Sequence, residues 1–578
     1  MQAEPGLPRG GPSGRSDRAR TGTKQHPRAI LFIVVAAALL TLLNAFKPLT
    51  IDDPIYHALA NQIARDPFDP YGFTIHWYQS RQPAFDVLIA PALPYWLAIP
   101  ARLFAGSPLA CKLWLFPISL LLVGATYSLF RRWARGLERP LVLMAVFSAA
   151  VLPSFNLMLD VPVLALSLGA LALLANAVDR ELASLAIAAG VLAGLATETK
   201  YTGLLSPVAL VVYAGVHRRW SLGALAAAVA LAMFGAWEAW MLHLYGDSHF
   251  HHHMALAEGT PGAKLTLTLG LVSDLGGVGA PVVLLGLAAL GVSRTRLGLI
   301  SLVFVLGYVV LASVSPRTDL LSVRSLHWRL SVPLSICCAY GIGMFGSLWA
   351  TVARLAKRRT GSVAASLGRW RKSRDVQFLV LWLALEILGY YAFTPFPAVR
   401  RILGVLVAAT ALFGRLASRS CRSPGRRRMV RAIAACGVVF GLLVAAVDFR
   451  DADVARLAVE KARERIGPTA PASTVWYVGH WGFQYYADRA GMRSVDPGKS
   501  LLRRGDWLLM LDHRIAQQHV TLPREHVEEM EPPLEITDGI PVGTVGNFYV
   551  GNLPIRPLRE SRFRLWIYRV RDDVVAMP

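Results

Sequence analysis

Long uncharged apolar runs recur along most of this chain, separated by short basic clusters, and that pattern rules out an ordinary soluble fold. The first run, AILFIVVAAALLTLLNAF (29–46), carries no charge, and comparable runs continue to about residue 448. A helix of ~20 apolar residues crosses the ~30 Å hydrocarbon of a bilayer. Counted that way, the sequence predicts a mainly α, polytopic membrane protein with about thirteen transmembrane helices. Composition agrees: of 578 residues, 54% are hydrophobic and 17% charged, and the mean hydropathy is +0.43. The net charge of +23 does not imply nucleic acid, because Lys and Arg fall mainly in the connectors between apolar runs. The five cysteines have no metal-ligand spacing, so neither a zinc site nor a disulfide framework is predicted. The first run is long and lacks a small-residue cleavage site, so it reads as a retained span.

Charge asymmetry sets the topology. Residues 1–28 are basic, polar and rich in Gly and Pro, predicting a disordered cytoplasmic head. The first span (about 29–48) then delivers Asp52 and Asp53 to the extracytoplasmic face of a bacterial-type plasma membrane. VLIAPALPYWLAIPARLFA (87–105) could be a second span, but RRWARGLER (131–139) would then land outside. Its prolines and aromatics suit a re-entrant or juxtamembrane segment instead. One alternation now holds. RRWARGLER, DRE (179–181), HRRW (217–220), SRTR (293–296), the stretch 357–375 and SRSCRSPGRRRMVR (418–431) lie inside. The loop 49–108, the turn at Asp160, Glu198 with Lys200, the loops 243–264 and 315–328 and the turn 394–401 lie outside. The transmembrane domain is therefore 29–448. Residues 449–578 form a small extracytoplasmic α/β domain, with strands at TVWYVGHW, RGDWLLMLD and RLWIYRV and helices at DVARLAVEKARERIG and GFQYYADRAG. That tail reads equally as a substrate-binding cap or as a structural appendage.

The outer face carries the candidate chemistry. Asp53-Pro54 reads as a helix start, with Asp53 as N-cap and Pro54 as first helical residue. Asp52 is left without a local structural role. Asp160 sits between two apolar runs with almost no loop to hydrate it, and such a carboxylate needs a partner or a function. LAGLATETKYTG places Glu198 and Lys200 at the same depth, so the three predict one polar cavity opening outward. In HLYGDSHFHHHMALAEG (243–259), His249, His251 and His253 alternate and would share one side of an extended chain. A metal site, a substrate contact and a wet loop are all open there.

These features resemble, in order and sidedness, the GT-C superfamily of membrane glycosyltransferases. The similarity is to glycosyltransferase family 39, the branch of protein O-mannosyltransferases and lipid A aminoarabinose transferases. The matching stretches are IDDPIYHALA, PALPYWLAIPARLFAG, NLMLDVPVLAL, TETKYTG and PFPAVRRILG, spread over about 29 to 417. Two departures stand out: Asp53 replaces the second acid, Glu, and Arg400-Arg401 replaces a late Arg-Tyr. The resemblance implies transfer of a sugar from a polyprenyl-phosphate donor to a lipid, glycan or protein acceptor at an extracytoplasmic site. It implies catalytic roles for Asp52, Asp53 and Asp160, with Asp52 the general base. Lys200, Arg400 and Arg401 would bind the donor phosphate, and Tyr56, His76, Glu198 and His249 are candidate substrate contacts. No metal is required by the pattern, although Asp52 with Asp160 could hold a divalent ion. The rival reading is a polyprenyl-linked glycan flippase or ligase, or another multi-span transporter. A transporter would typically show internal repeats and charges near the midplane; no repeat is evident.

Overall fold

Leu-, Ala- and Val-rich stretches make the helices, and prolines and glycines decide where they stop. The computed structural model describes residues 26–255, 261–314, 332–356, 373–468, 473–511, 518–536, 546–551 and 564–578. The head up to residue 25, the loop 315–328 and the basic stretch 357–372 lie outside the described residues. Among the described residues seven helices are long and apolar enough to cross a membrane, or eight if one bent pair is a single span. The expected count of about thirteen is not confirmed by the described residues, where some apolar runs form shorter helices such as Ala183–Thr199 and Tyr201–Val216. The run expected as the third span divides into Glu138–Val146 and Val151–Ser154. The break falls at 147–150, where the Ser148 hydroxyl accepts from Val151 N at 3.1 Å in place of a helical carbonyl, and Pro153 sits in the first turn of the second piece, where its missing N–H is tolerated. The bent pair, Ala263–Gly277 and Ala280–Ala289, turns by 70°.

The segment 87–105 contains the helix Ala92–Leu103. Its twelve residues span only ~18 Å, too short to cross, and it packs on Asp53–Arg65. Between these two helices lies the hairpin Thr74–Trp77 with Ser80–Pro83.

The C-terminal region is built on a mixed sheet. Val475–Val478 pairs in parallel with Arg493–Ser494 and with Trp507–Leu511. Arg564–Val570 then pairs antiparallel with Trp507–Leu511 and with Val527–Glu529. The short helix Trp481–Arg489 is closed by Gly491 at φ +79°, a left-handed position that glycine adopts without strain. The last apolar run and the amphipathic stretch after it form one helix, Pro424–Ile466, of 43 residues with no break at 448.

Candidate active site: two adjacent aspartates in two charge networks

Asp52 and Asp53 face different ways. The Asp52 carboxylate accepts from Arg400 Nη1 at 2.6 Å, and the same nitrogen lies 3.6 Å from Asp160 Oδ2. Asp160 in turn pairs with Lys200. Four charges from four distant parts of the sequence thus form one chain, Asp52–Arg400–Asp160–Lys200. Arg401 stacks over the Phe396 ring at 4.3 Å. The Nε groups of Arg400 and Arg401 are buried with no acceptor among the described residues. Asp52 is the most open acid, 17% exposed at its side chain against 3% for Asp160. Tyr56 lies within electrostatic reach of Asp52, Arg400, Asp160 and Arg401.

A cavity opens from this cluster. Asp160, Lys200, Arg400 and Arg401 line one part of it. Leu164, Leu168 and Leu171 of the helix Asp160–Arg180 continue it, facing Leu205, Leu210 and Trp382 on neighbouring helices. It measures about 90 Å³, too small for a sugar phosphate, with the cations turned onto the aspartates. Glu386 also lines it, accepting from Trp382 Nε1 at 2.9 Å. The sequence reading passed over Glu386; the signal was a lone acid inside LVLWLALEILGYY. It lies eight residues before Thr394 in sequence, ~12 Å along the helix, so not every ionisable group sits at a span end.

Asp53 belongs to the second network. Its side chain is fully buried, with Oδ2 4.0 Å from Lys112 Nζ and accepting from Thr50 N at 3.3 Å. Lys112 donates to the Lys47 carbonyl. Lys47 pairs with Asp448, and Tyr549 Oη lies 2.8 Å from Asp448 Oδ1 and 3.0 Å from Pro153 O. The expected N-cap role is therefore corrected. Asp53 is the first helical residue, Asp52 precedes it without a side-chain cap bond, and Pro54 is in the first turn. The Asp53 carboxylate turns inward to two lysines instead of back to the helix N–H groups. The catalytic role given to it with Asp52 does not fit that orientation.

Burial pushes the Asp53 carboxyl up from 3.8 to about 6, against the pull of Lys112 and Lys47. The folded protein thus holds this proton to higher pH than the unfolded chain. Its stabilising contribution is present below 3.8 and is lost as pH rises through about 6. Asp53→Asn is expected to flatten the fall in thermal stability across that window. An unchanged slope would show that Asp53 does not titrate there.

Three non-glycine residues with left-handed backbones lie beside Asp52 or beside its neighbours Ile51 and His480. Ile51 has φ 49°, Tyr78 φ 54° and Trp481 φ 56°. Such conformations cost about 1–3 kcal/mol each and concentrate at functional sites, and for β-branched Ile the angle is an outlier. The GHWG turn of the C-terminal region brings two of them together. Gly482 lies so close to the Leu49 carbonyl that a Cβ would sit 2.7 Å from it, and Ile51, His480 and Trp481 share one small cavity. Tyr78 lies within electrostatic reach of Asp52 and Arg400, and its ring is 5.5 Å from that of His480. His480 Nδ1 donates to Gln484 Oε1 at 2.8 Å, which leaves Nε2 as a bare acceptor, buried and without a partner among the described residues. Burial pushes this imidazole down to about 4, so it is neutral at physiological pH.

The remaining candidates do not join the charge chain. His76 docks the hairpin to the C-terminal sheet region, 3.0 Å from Asp496 Oδ1 and 3.0 Å from Gln518 Nε2. Glu198 is buried with neither oxygen hydrogen-bonded among the described residues, and its charged neighbour is Glu238 rather than Lys200. Lys200 ends the helix in an extended conformation, and its side chain reaches Asp160. His249 binds Tyr201 Oη and the Leu88 carbonyl and stacks on Tyr71 at 4.8 Å. His249–Ala255 is a helix, so the extended alternation does not occur. His249 and His253, four residues apart, face each other with ring centres 4.4 Å apart, while His251 is exposed. Burial pushes His249 down to about 3 and His253 to about 4, so both are structural neutral rings. Among the described residues no group of three or more His, Cys, Asp or Glu is placed to hold a metal ion. Asp52 and Asp160 also fit a divalent ion poorly, because the Arg400 guanidinium already bridges them.

The chain is similar to solved structures of two proteins. One is the oligosaccharyltransferase of Archaeoglobus fulgidus in its apo form: 14% identity, 82% of this chain and 64% of that chain covered, TM-score 0.45. The same archaeal enzyme, AglB, in complex with an inhibitory peptide and a dolichol-phosphate matches at the same identity and TM-score. The other is ArnT from Cupriavidus metallidurans bound to undecaprenyl phosphate: 15% identity, 94% of this chain and 98% of that chain covered, TM-score 0.35. The chain thus spans about two thirds of the length of the archaeal enzyme. No family model matches the chain, and no curated protein matches it.

Proposed function

We propose that this protein is an integral membrane glycosyltransferase that moves a sugar from a polyprenyl-phosphate donor to an acceptor on the extracytoplasmic face. The observation that carries this reading is the shape of the cavity: Lys200, Arg400 and Arg401 beside a wall of leucines. An amphiphile with a phosphate at one end and an isoprenoid chain at the other matches that arrangement. The phosphate competes with Asp52 and Asp160 for Arg400 and Lys200, drawing the cations off the aspartates and widening the site. Asp52, released from Arg400, takes the proton of the acceptor hydroxyl or amine as it attacks the anomeric carbon. The bond to phosphate breaks, and the cations hold the charge that develops on the departing oxygen. Attack opposite the leaving phosphate inverts the anomeric centre. Asp160 holds Lys200 and Arg400 in place. No step uses a metal ion.

The test of the phosphate end is Lys200. Lys200→Ala removes one of the cations facing the donor and is expected to weaken binding of a polyprenyl phosphate, while Lys200→Arg retains part of it. Unchanged donor binding in Lys200→Ala would leave the lysine a partner of Asp160 only.

The acceptor side is tested at His480. His480→Phe keeps the ring that packs on Tyr78 but deletes the free Nε2 acceptor. It should raise the acceptor KM and leave donor binding unchanged. If donor and acceptor parameters move together, the C-terminal turn supports the fold rather than the acceptor.

A further inference from the structure

A second cavity, well separated in sequence from the charge chain, runs between the helices Arg294–Val314 and Pro424–Ile466. It measures about 740 Å³. One helix lines it with Leu297, Phe304 and Val305, and the other with Ile433, Phe440 and Leu443. Its two charges are Arg294 and Arg428, both near the starts of their helices and both exposed. No acidic residue lines it among the described residues. Arg294 Nη2 donates to the Gly425 carbonyl at 2.5 Å, which fixes the two helix starts side by side and brings the arginines to one mouth.

We infer that this groove is a binding site for an anionic glycerophospholipid, its phosphate at Arg294 and Arg428 and one acyl chain along the groove. Length supports this. From Arg294 to Val305 the wall runs ~16 Å, and from Arg428 to Leu443 ~22 Å. Half of a ~30 Å hydrocarbon layer is ~15 Å, so one leaflet's acyl chain fills the groove from headgroup to midplane. Charge supports it too. Arg296, Arg426, Arg427 and Arg431 lie in the first two turns of the same two helices, a basic cluster of the kind that attracts anionic headgroups. Val305 and Leu443 are more than half exposed, as groove walls open to lipid would be. A soluble partner would have to desolvate those arginines without supplying counter-charge along the rest of the groove.

The site is independent of the donor reading, because its residues share none with the charge chain around Asp160. A structural lipid here would brace the bent pair Ala263–Gly277 and Ala280–Ala289, since Ala280, Pro281 and Leu284 also line the groove.

The experiment titrates the purified full chain in detergent with phosphatidylglycerol, phosphatidylcholine or undecaprenyl phosphate and counts retained lipid by native mass spectrometry. One phosphatidylglycerol per chain is expected, retained over phosphatidylcholine. Arg294→Ala with Arg428→Ala should bind it roughly 30-fold more weakly, the factor two arginines contribute at an anionic surface. Arg294→Lys with Arg428→Lys should retain binding, which separates lost charge from lost folding. Ser301→Trp, filling the groove, should also expel the lipid. Equal retention of phosphatidylcholine, preference for undecaprenyl phosphate at this site, dimerisation through the groove, or phosphatidylglycerol binding unchanged by both the alanine pair and Ser301→Trp would each overturn the assignment.

Discussion

Asp52→Asn is expected to abolish turnover, a loss of ~10²–10⁴ in rate, while thermal stability stays at the parent value. The substitution keeps the shape and one oxygen for Arg400 but cannot take the acceptor's proton. The neighbouring substitution is the control. Asp53 is fully buried against Lys112, outside the Asp52–Arg400–Asp160–Lys200 chain, so Asp53→Asn should keep most of the turnover and alter the pH dependence of stability. Asp160→Asn should fall between them, since it loosens Lys200 and Arg400 without removing the base. Turnover of each purified variant, with thermal unfolding as the folding control, decides the order. Near-normal turnover in Asp52→Asn would reject the mechanism, and an inactive Asp53→Asn beside an active Asp52→Asn would exchange the two roles.

The largest stability effect should come from Lys47. It is buried, pairs with Asp448 and lies 3.2 Å from Tyr549 Oη. Through these contacts the end of the first helix, the long helix Pro424–Ile466, the turn at Pro153 and the C-terminal region meet at one point. Lys47→Ala leaves the Asp448 carboxylate buried without its cation, and removing one member of a buried pair typically costs ~3–5 kcal/mol. Replacing both, as Lys47→Met with Asp448→Leu, should recover much of that loss, because the uncompensated charge is gone. Unfolding midpoints of the single and double variants in detergent measure this. A double variant as unstable as the single one would show that Tyr549 and the Pro153 carbonyl, not the ion pair, dominate the junction.

The sequence made much of this legible, for physical reasons that differ by residue. Asp160 and Lys200 could be recognised because carboxylates and ammonium groups at the ends of apolar runs are costly without partners, and the structure pairs them with each other. Glu198 drew the same inference, yet it points elsewhere. Depth along a helix is readable from sequence, but its rotation about the axis depends on packing. The strands of the tail were readable as short runs rich in aromatic and branched residues, and the helix end at Gly491 from its chemistry. What sequence could not supply was pairing at a distance. Arg400 meets Asp52 across 348 positions and Lys47 meets Asp448 across 401, and nothing local marks either contact. Where an apolar run divides into shorter helices, as between Val146 and Val151, was likewise not readable from length and apolarity.

Purified protein incubated with a panel of polyprenyl-phosphate sugars, with and without candidate acceptors, can be followed by release of polyprenyl phosphate. The account predicts release from at least one donor, lost in Asp52→Asn and reduced in Lys200→Ala. Release that persists in Asp52→Asn, or no release from any donor by protein that still binds polyprenyl phosphate through Lys200 and Arg400, would contradict it.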